Sequence, residues 1–191
     1  MPFACDTTVY RPDAPERPEF CDIELAFVGG YWDTKGRQID RYLRPLEDRL
    51  VIYGYNEWPY RGYRGGLPPD HEASLYRQAR LSPTINEPSV AVLHGQINER
   101  VFKILGSGGV TVVDAIPAYR DFFSADEIPL PRNPDEFLEL VSELVRDESA
   151  RERFRERGRS AVLERHTYLH RARELAERLG VELRDPEGNP S

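Results

Sequence analysis

The residues best suited to chemistry in this sequence stand close together: Asn98, Arg100 and Lys103, then Gly106, Gly108, Gly109 and Asp114, all within NERVFKILGSGGVTVVD. Val101, Ile104 and Leu105 fall at i, i+3 and i+4, so the run begins as a short helix with one apolar stripe. The glycines end it. Val110, Val112 and Val113 then make a β-branched run that reads as a buried strand, with Asp114 at its carboxyl end. A helix amino terminus carries unsatisfied N–H groups and a partial positive charge, and in open α/β sheets ligands gather at the carboxyl edge of the strands. Asn98 and Arg100 occupy that helix start. Such a start suits an anion, which the N–H groups and a guanidinium neutralise. Asn98 fits equally well as a plain N-cap. For Arg100 the alternative is a surface arginine in the first turn, where the macrodipole disfavours a cation.

A second group lies earlier. Gly29 and Gly30 follow an apolar run, 23–28, and would let a phosphate approach the backbone, with Lys35 and Arg37 beyond them as cations. No G-x-G-x-x-G is present, so this turn is not a dinucleotide fingerprint. Arg37 reads equally as a solvated residue at a helix start. His94, just before Gly95, is the one histidine placed where a loop meets a ligand, and its near-neutral titration admits a catalytic role beside the commoner structural one. G-x-S-x-G and P-loop signatures are absent, and the cysteine and histidine spacing offers no zinc site.

The elements that must position these groups alternate. Strands are expected at 23–28, 50–53, 81–86 (with 90–94 as an extension), 110–113 and 127–130, and helices at 35–46, 71–79 and 98–107, with a helical turn at 119–123. Residues 55–69, YNEWPYRGYRGGLPP, are rich in glycine, proline and aromatics and too long for an ordinary connection, which argues for a functional loop in which Trp58, Tyr60 or Tyr63 could stack on a base. Beyond residue 130 the chain turns helical. Asn133-Pro134-Asp135-Glu136 is a start signal for a helix with Phe137, Leu140, Val141, Leu144 and Val145 on one face. An Arg/Glu-rich helix at 149–164 should be mostly exposed. A last helix at 166–179 carries Leu169, Ala172, Leu175, Ala176 and Leu179 as its stripe. This succession predicts an α/β fold, a doubly wound parallel sheet of about five strands with a helical carboxyl-terminal segment. Residues 1–22 read as an extended lead-in, 23–183 as the folded domain and 184–191 as a disordered tail.

Composition narrows the partners. The 191 residues carry a net charge of −7, which disfavours a sequence-independent grip on nucleic acid. Two cysteines, Cys5 and Cys21, supply neither a disulfide framework nor a metal set, and no stretch has the length of a membrane span or the pattern of a signal peptide. A cytoplasmic protein is expected.

The run 98–109 resembles the N-x-R-x-F-E-x-x-A-x-G-G signature in the carboxyl-terminal domain of GT-B glycosyltransferases of the "glycosyl transferases group 1" and CgeB-like type. Further pieces resemble that family in the same order: MPFACDTTVYRP, AFVGG, LVIYG, YRGGL and HTYLHR. The resemblance implies a Rossmann-like nucleotide-sugar-binding domain, metal-independent transfer, no cofactor besides the nucleotide-diphosphate sugar as donor substrate, and a partner domain or second chain that holds the acceptor. It further implies that Tyr63, Gly65, Gly66 and Leu67 hold the nucleobase, and that Asn98, Arg100 and the Gly29–Arg37 region surround the diphosphate. Lys103 departs from the signature, which has a Glu that hydrogen-bonds the donor ribose; a lysine donates but cannot accept. Lys103 is either a second cation beside the phosphates or half of a Glu99–Lys103 surface pair.

Overall fold

A computed structural model of the chain describes residues 2–91 and 95–183. Two regular strands, β1 (Leu25–Val28) and β2 (Leu50–Tyr53), pair in parallel from Leu25↔Leu50 to Val28↔Tyr53. Three further segments extend this ladder through single parallel bridges, Ile52↔Tyr63, Leu25↔Leu81 and Thr84↔Val113. The spatial order is therefore the Tyr63 segment, β2, β1, the Leu81–Thr84 segment and the Val113 segment. Chain order reverses between β1 and Leu81, and that reversal opens the crevice where α/β sheets take their ligands.

The parallel α/β arrangement is as expected, but only two of the expected strands are regular, and the lane beside β2 is the Tyr63 segment, expected as a loop. Pro83 lacks an N–H and interrupts the lane at 81–84. The strand expected at 127–130 does not form: Glu127 and Ile128 close a turn onto Ser124, and Pro129 and Pro131 remove two ladder donors. Of the expected extension at 90–94, residues 90 and 91 belong to the 3-10 turn Pro88–Ala91, and 92–94 lie outside the described residues. The tail 184–191 lies outside them too.

Helices cover both faces. On one side Leu25, Phe27, Leu50, Ile52, Leu81, Val110 and Val112 pack against Ile39, Tyr42 and Leu43 of α1 (Asp33–Leu43) and Phe137, Val141 and Leu144 of α4 (Pro134–Arg146). Ala26 and Tyr53 face the other way, onto Leu75 of α2 (Glu72–Gln78) and Phe20. The alternation along β1 is the period-2 signature of a strand buried on both faces. Pro45 ends α1 earlier than the expected residue 46 and converts Arg44–Arg49 to 3-10 geometry. Val101, Phe102 and Leu105 of α3 (Glu99–Gly106) form a second core with Ala161 and Val162 of α5 (Glu148–Arg165). As its composition suggests, α5 buries only a narrow stripe, chiefly Ala150, Arg151, Gly158, Ala161 and Val162.

Two parts depart from the expected pattern. The lead-in is packed rather than extended: Cys5 N donates to His166 O at 2.8 Å, Tyr168 N donates to Cys5 O at 3.1 Å, and Ala4, Ala14 and Phe20 are buried. In α6 (Tyr168–Leu179) the leucine stripe is exposed at Leu169, Leu175 and Leu179. This helix is fixed at its start instead, by a Thr167–His170 capping box and buried Arg171. Among the described residues no helix is long and apolar enough to cross a membrane.

Candidate functional site

The carboxyl ends of β1 and β2 both run into glycine, and this lets the two strand ends close on each other. Gly29 N donates to Tyr53 O, and a side chain at Gly54 would collide with the Gly29 carbonyl. Trp58 Nε1 donates to that same carbonyl at 3.1 Å. Across the crevice α3 begins. Its N-cap, Asn98, is extended (φ −64°, ψ 135°) and its side chain accepts from Arg100 N at 2.9 Å; Val101 N donates to Asn98 O at 3.3 Å and Asn98 N to Asn86 Oδ1 at 2.9 Å, which leaves Glu99 N, among the described residues, as the N–H of the first turn not taken up within the fold.

Arg100 points inward. Its guanidinium lies 4.3 Å from the centre of the Phe27 ring, Nε donates to Val28 O at 2.7 Å, and Nη1 donates to Ile85 O at 3.4 Å. One side chain thus bridges the ends of β1 and of the 81–85 lane, across the point where chain order reverses. It is 8% exposed, and Gly29 leaves it room: a Cβ there would stand 2.7 Å from Nη2. Arg100 is therefore not the solvated surface arginine of the alternative reading.

A cavity of about 290 Å³ opens beside it, walled by Val28, Gly29, Asn98, Arg100 and Lys103, with Gly66, Leu67 and Tyr55 at its edge. Lys103 Nζ sits 3.2 Å from Glu99 Oε2 and 3.7 Å from Glu72 Oε2. Glu72 in turn accepts from Tyr10 Oη at 2.6 Å and Tyr76 Oη at 2.8 Å, and burial, the leading cause, together with this carboxylate pushes both phenols well above their ordinary range. The wall thus carries two cations, Arg100 and Lys103, and two carboxylates, Glu72 and Glu99.

The expected site residues divide. Gly29, Asn98, Arg100, Lys103, Gly66 and Leu67 share the cavity. Gly30 packs under Trp32 and Tyr55. Lys35 is buried behind the crevice with Nζ 2.6 Å from Glu87 Oε1, its pKa lowered by burial first and by the neighbouring Arg100 charge second. Arg37 is exposed on α1, away from the cavity. Tyr63 lies along β2 and donates to Gly54 O at 3.0 Å; Gly65, at φ 82°, accepts from Gly54 N at 2.9 Å. His94 lies outside the described residues. Trp58 and Tyr60 are buried in the main core, where base stacking is closed to them. The exposed ring at the cavity is Tyr55, 80% accessible, which sequence reasoning passes over although it directly follows Gly54. Glu72 escapes it as well; only the packing of α2 on α3 brings it to Lys103. Among the described residues no group of three His, Cys, Asp or Glu side chains is spaced to hold a metal.

A family model described as "Glycosyl transferase-like" matches residues 36–177. The chain belongs to this family. Solved structures similar to this glycosyl transferase-like domain include the sucrose-phosphate synthase of Thermosynechococcus elongatus (TM-score 0.70, 11% identity, 93% of this chain and 50% of that one). Another is the carboxyl-terminal domain of the glycosyl transferase group 1 family protein LpcC of Francisella tularensis (TM-score 0.58, 13% identity, 85% and 98%). A third is an alpha-glucosyltransferase in complex with UDP and a 13-mer DNA (TM-score 0.65, 11% identity, 91% and 58%). At these identities the likeness concerns the fold, the Rossmann-like half of a GT-B glycosyltransferase. The domain spans about half the length of the synthase and corresponds to nearly all of the isolated LpcC domain. No curated protein matches the sequence.

Proposed function

We propose that this domain holds the diphosphate of a nucleotide-sugar donor and works as the donor half of a metal-independent, cytoplasmic glycosyltransferase, with an acceptor-binding domain or second chain completing the cleft. The observation that carries this reading is Arg100, fixed across the reversal point by Val28 O and Ile85 O at the start of α3 and lining the cavity. As the bond from the sugar to the diphosphate breaks, charge accumulates on the departing oxygen. A guanidinium and the Glu99 N–H at the helix start, already in place, stabilise that charge without reorganising. Leu67 and Gly66 offer an apolar edge for the base, and Tyr55 an exposed ring beside it. The solved alpha-glucosyltransferase of similar fold carries UDP, which supports a uridine nucleotide as the first probe.

The test is calorimetric titration of the 191-residue chain with UDP, GDP, ADP and dTDP. Binding of at least one, lost in Arg100→Ala, supports the reading; no heat from any of them at millimolar concentration refutes it. A second reading is a scaffold that has lost donor chemistry and binds protein. It is favoured by Lys103, whose ammonium is already paired to Glu99 and Glu72 and so adds little positive charge to the cavity. The same titration separates the two, because a scaffold has no nucleotide affinity for Arg100→Ala to remove.

A further inference from the structure

Behind the cavity, four side chains unused by the chemistry above form a closed polar relay. Asn86 ends the lane at 81–85, Asp114 ends the lane at 110–113, and Tyr119 lies on the 3-10 turn Pro117–Asp121. Asn86 Nδ2 donates to Asp114 Oδ1 at 2.7 Å and to Tyr119 Oη at 2.6 Å, and Asn86 N donates to Asp114 Oδ2 at 3.2 Å. Gln38 Nε2, from α1, reaches Asp114 Oδ2 at 3.3 Å. The remaining polar atom of Asn86, Oδ1, accepts from the backbone N of Asn98 at 2.9 Å. Asn86, Asp114 and Tyr119 are at most 1% exposed.

Burying a carboxylate and a carboxamide is unfavourable unless their hydrogen-bonding atoms are met, and apolar side chains of similar size would fill the same space. What the relay supplies and apolar packing would not is direction. The Asn98 N–H belongs to the N-cap residue, whose amide α3 itself cannot satisfy. Next to Asn86, the carbonyl of Ile85 accepts from Arg100 Nη1. Residues 85 and 86 thus grip the start of α3 twice, once at its N-cap backbone and once at its cation.

We propose that Asn86 and Asp114 are positioning residues, a buried carboxylate–amide relay that sets where Asn98, and with it the first turn of α3 and Arg100, stands above the crevice. Its consequence for ligand binding rests on the diphosphate reading above; its consequence for α3 does not. A core that merely needed filling would show no preference for the α3 start when the relay is cut.

The test uses the full chain with Asp114→Asn and Asn86→Asp, both near-isosteric, and Tyr119→Phe, which deletes one hydroxyl and keeps the shape of the core. Amide hydrogen exchange at Arg100 and Val101 is read against Phe137 N at the start of α4, which donates to Asn133 O and lies outside the relay. In the two amide variants we expect exchange at Arg100 and Val101 to quicken at least about tenfold, the equivalent of one lost hydrogen bond, and in Tyr119→Phe about threefold, with Phe137 unchanged in all three. The Kd for UDP should rise about fivefold with Asn86→Asp, but by less than about twofold when the same change is made in Arg100→Ala, because the two act through one element. Unchanged exchange at α3, or an equal rise at α4, overturns the proposal. If the parent chain binds none of UDP, GDP, ADP and dTDP while exchange quickens only at α3, the donor reading fails and the relay stands. If the parent binds UDP while the variants match it in both exchange and affinity, the donor reading stands and the relay fails.

Discussion

Replacing Gly29 with alanine puts the packing of Arg100 to a direct test. The backbone there tolerates a side chain, since positive φ values among the described glycines occur at Gly65, Gly95, Gly108 and Gly180 and not at Gly29. The penalty is therefore steric. A Cβ at 29 stands 2.7 Å from Arg100 Nη2 and 3.0 Å from Phe27 Cε1, where ordinary contact begins at 3.4 Å, so the guanidinium must withdraw by about 0.7 Å (3.4 − 2.7). Its bond to Ile85 O, already at 3.4 Å, breaks, and the 2.7 Å bond to Val28 O is stretched and weakened. Loss of charge-assisted bonding, partly offset by side-chain relaxation, should lower stability by about 1–2 kcal/mol and weaken UDP binding about tenfold. Urea unfolding and calorimetry read the two effects. The decisive measurement repeats Gly29→Ala in an Arg100→Ala background, where the tightest clash is gone, the milder Phe27 contact remains, and the stability penalty should fall to about half or less. An equal penalty in both backgrounds, or none in either, refutes the reasoning.

Arg100→Ala alone should weaken UDP binding by about 1.5–3 kcal/mol, roughly 10- to 150-fold in Kd, by calorimetry; an unchanged Kd removes the arginine from the site. Asp114 is buried and its pKa is raised from 3.8 to about 6, with desolvation as the main cause. Its native form binds the proton more tightly than the unfolded chain, so its contribution to stability is fully present below pH 3.8 and is lost as pH rises through 6. Between pH 7.5 and pH 5 the parent chain should therefore gain about 1.4 kcal/mol relative to Asp114→Asn in urea unfolding, and parallel pH curves would contradict this. His166 works the other way: burial, the first cause, lowers its pKa, so its contribution is lost as pH falls below 6.5, and comparing parent with variant cancels it. Native protein should take up one equivalent of iodoacetamide, at exposed Cys21, because Cys5 is buried with its thiol pushed up to about 12; two equivalents without denaturant would show the lead-in to be loose.

Local signals carried much of this fold. The apolar stripe of Val101, Ile104 and Leu105, the Asn98 cap and the glycines after it mark α3 to within a residue, and the Asn133-Pro134 start marks α4 as well. What failed was decided by single residues or by distant ones. Pro83, Pro129 and Pro131 withhold donors from ladders that the apolar pattern alone would form. The aromatic loop looked like a ligand platform because sequence cannot tell an aromatic turned into the core, such as Trp58, from one turned outward, such as Tyr55. At the site, the helix start was legible and the direction of Arg100 was not: Val28 O and Ile85 O are 72 and 15 residues away, and only the strand order brings them to one guanidinium. The pairing of Lys103 with Glu72 and the Asn86–Asp114 bonds are hidden for the same reason.

The clasp between Cys5 and the 166–168 segment has a mechanical meaning. The amino-terminal segment and the start of the closing helix are tied by two backbone hydrogen bonds, so neither can leave the fold without the other. Tyr168 Oη also donates to Glu99 Oε1 at 2.6 Å, so a pull on the amino-terminal segment loads this pair and is passed on to the start of α3 beside the cavity.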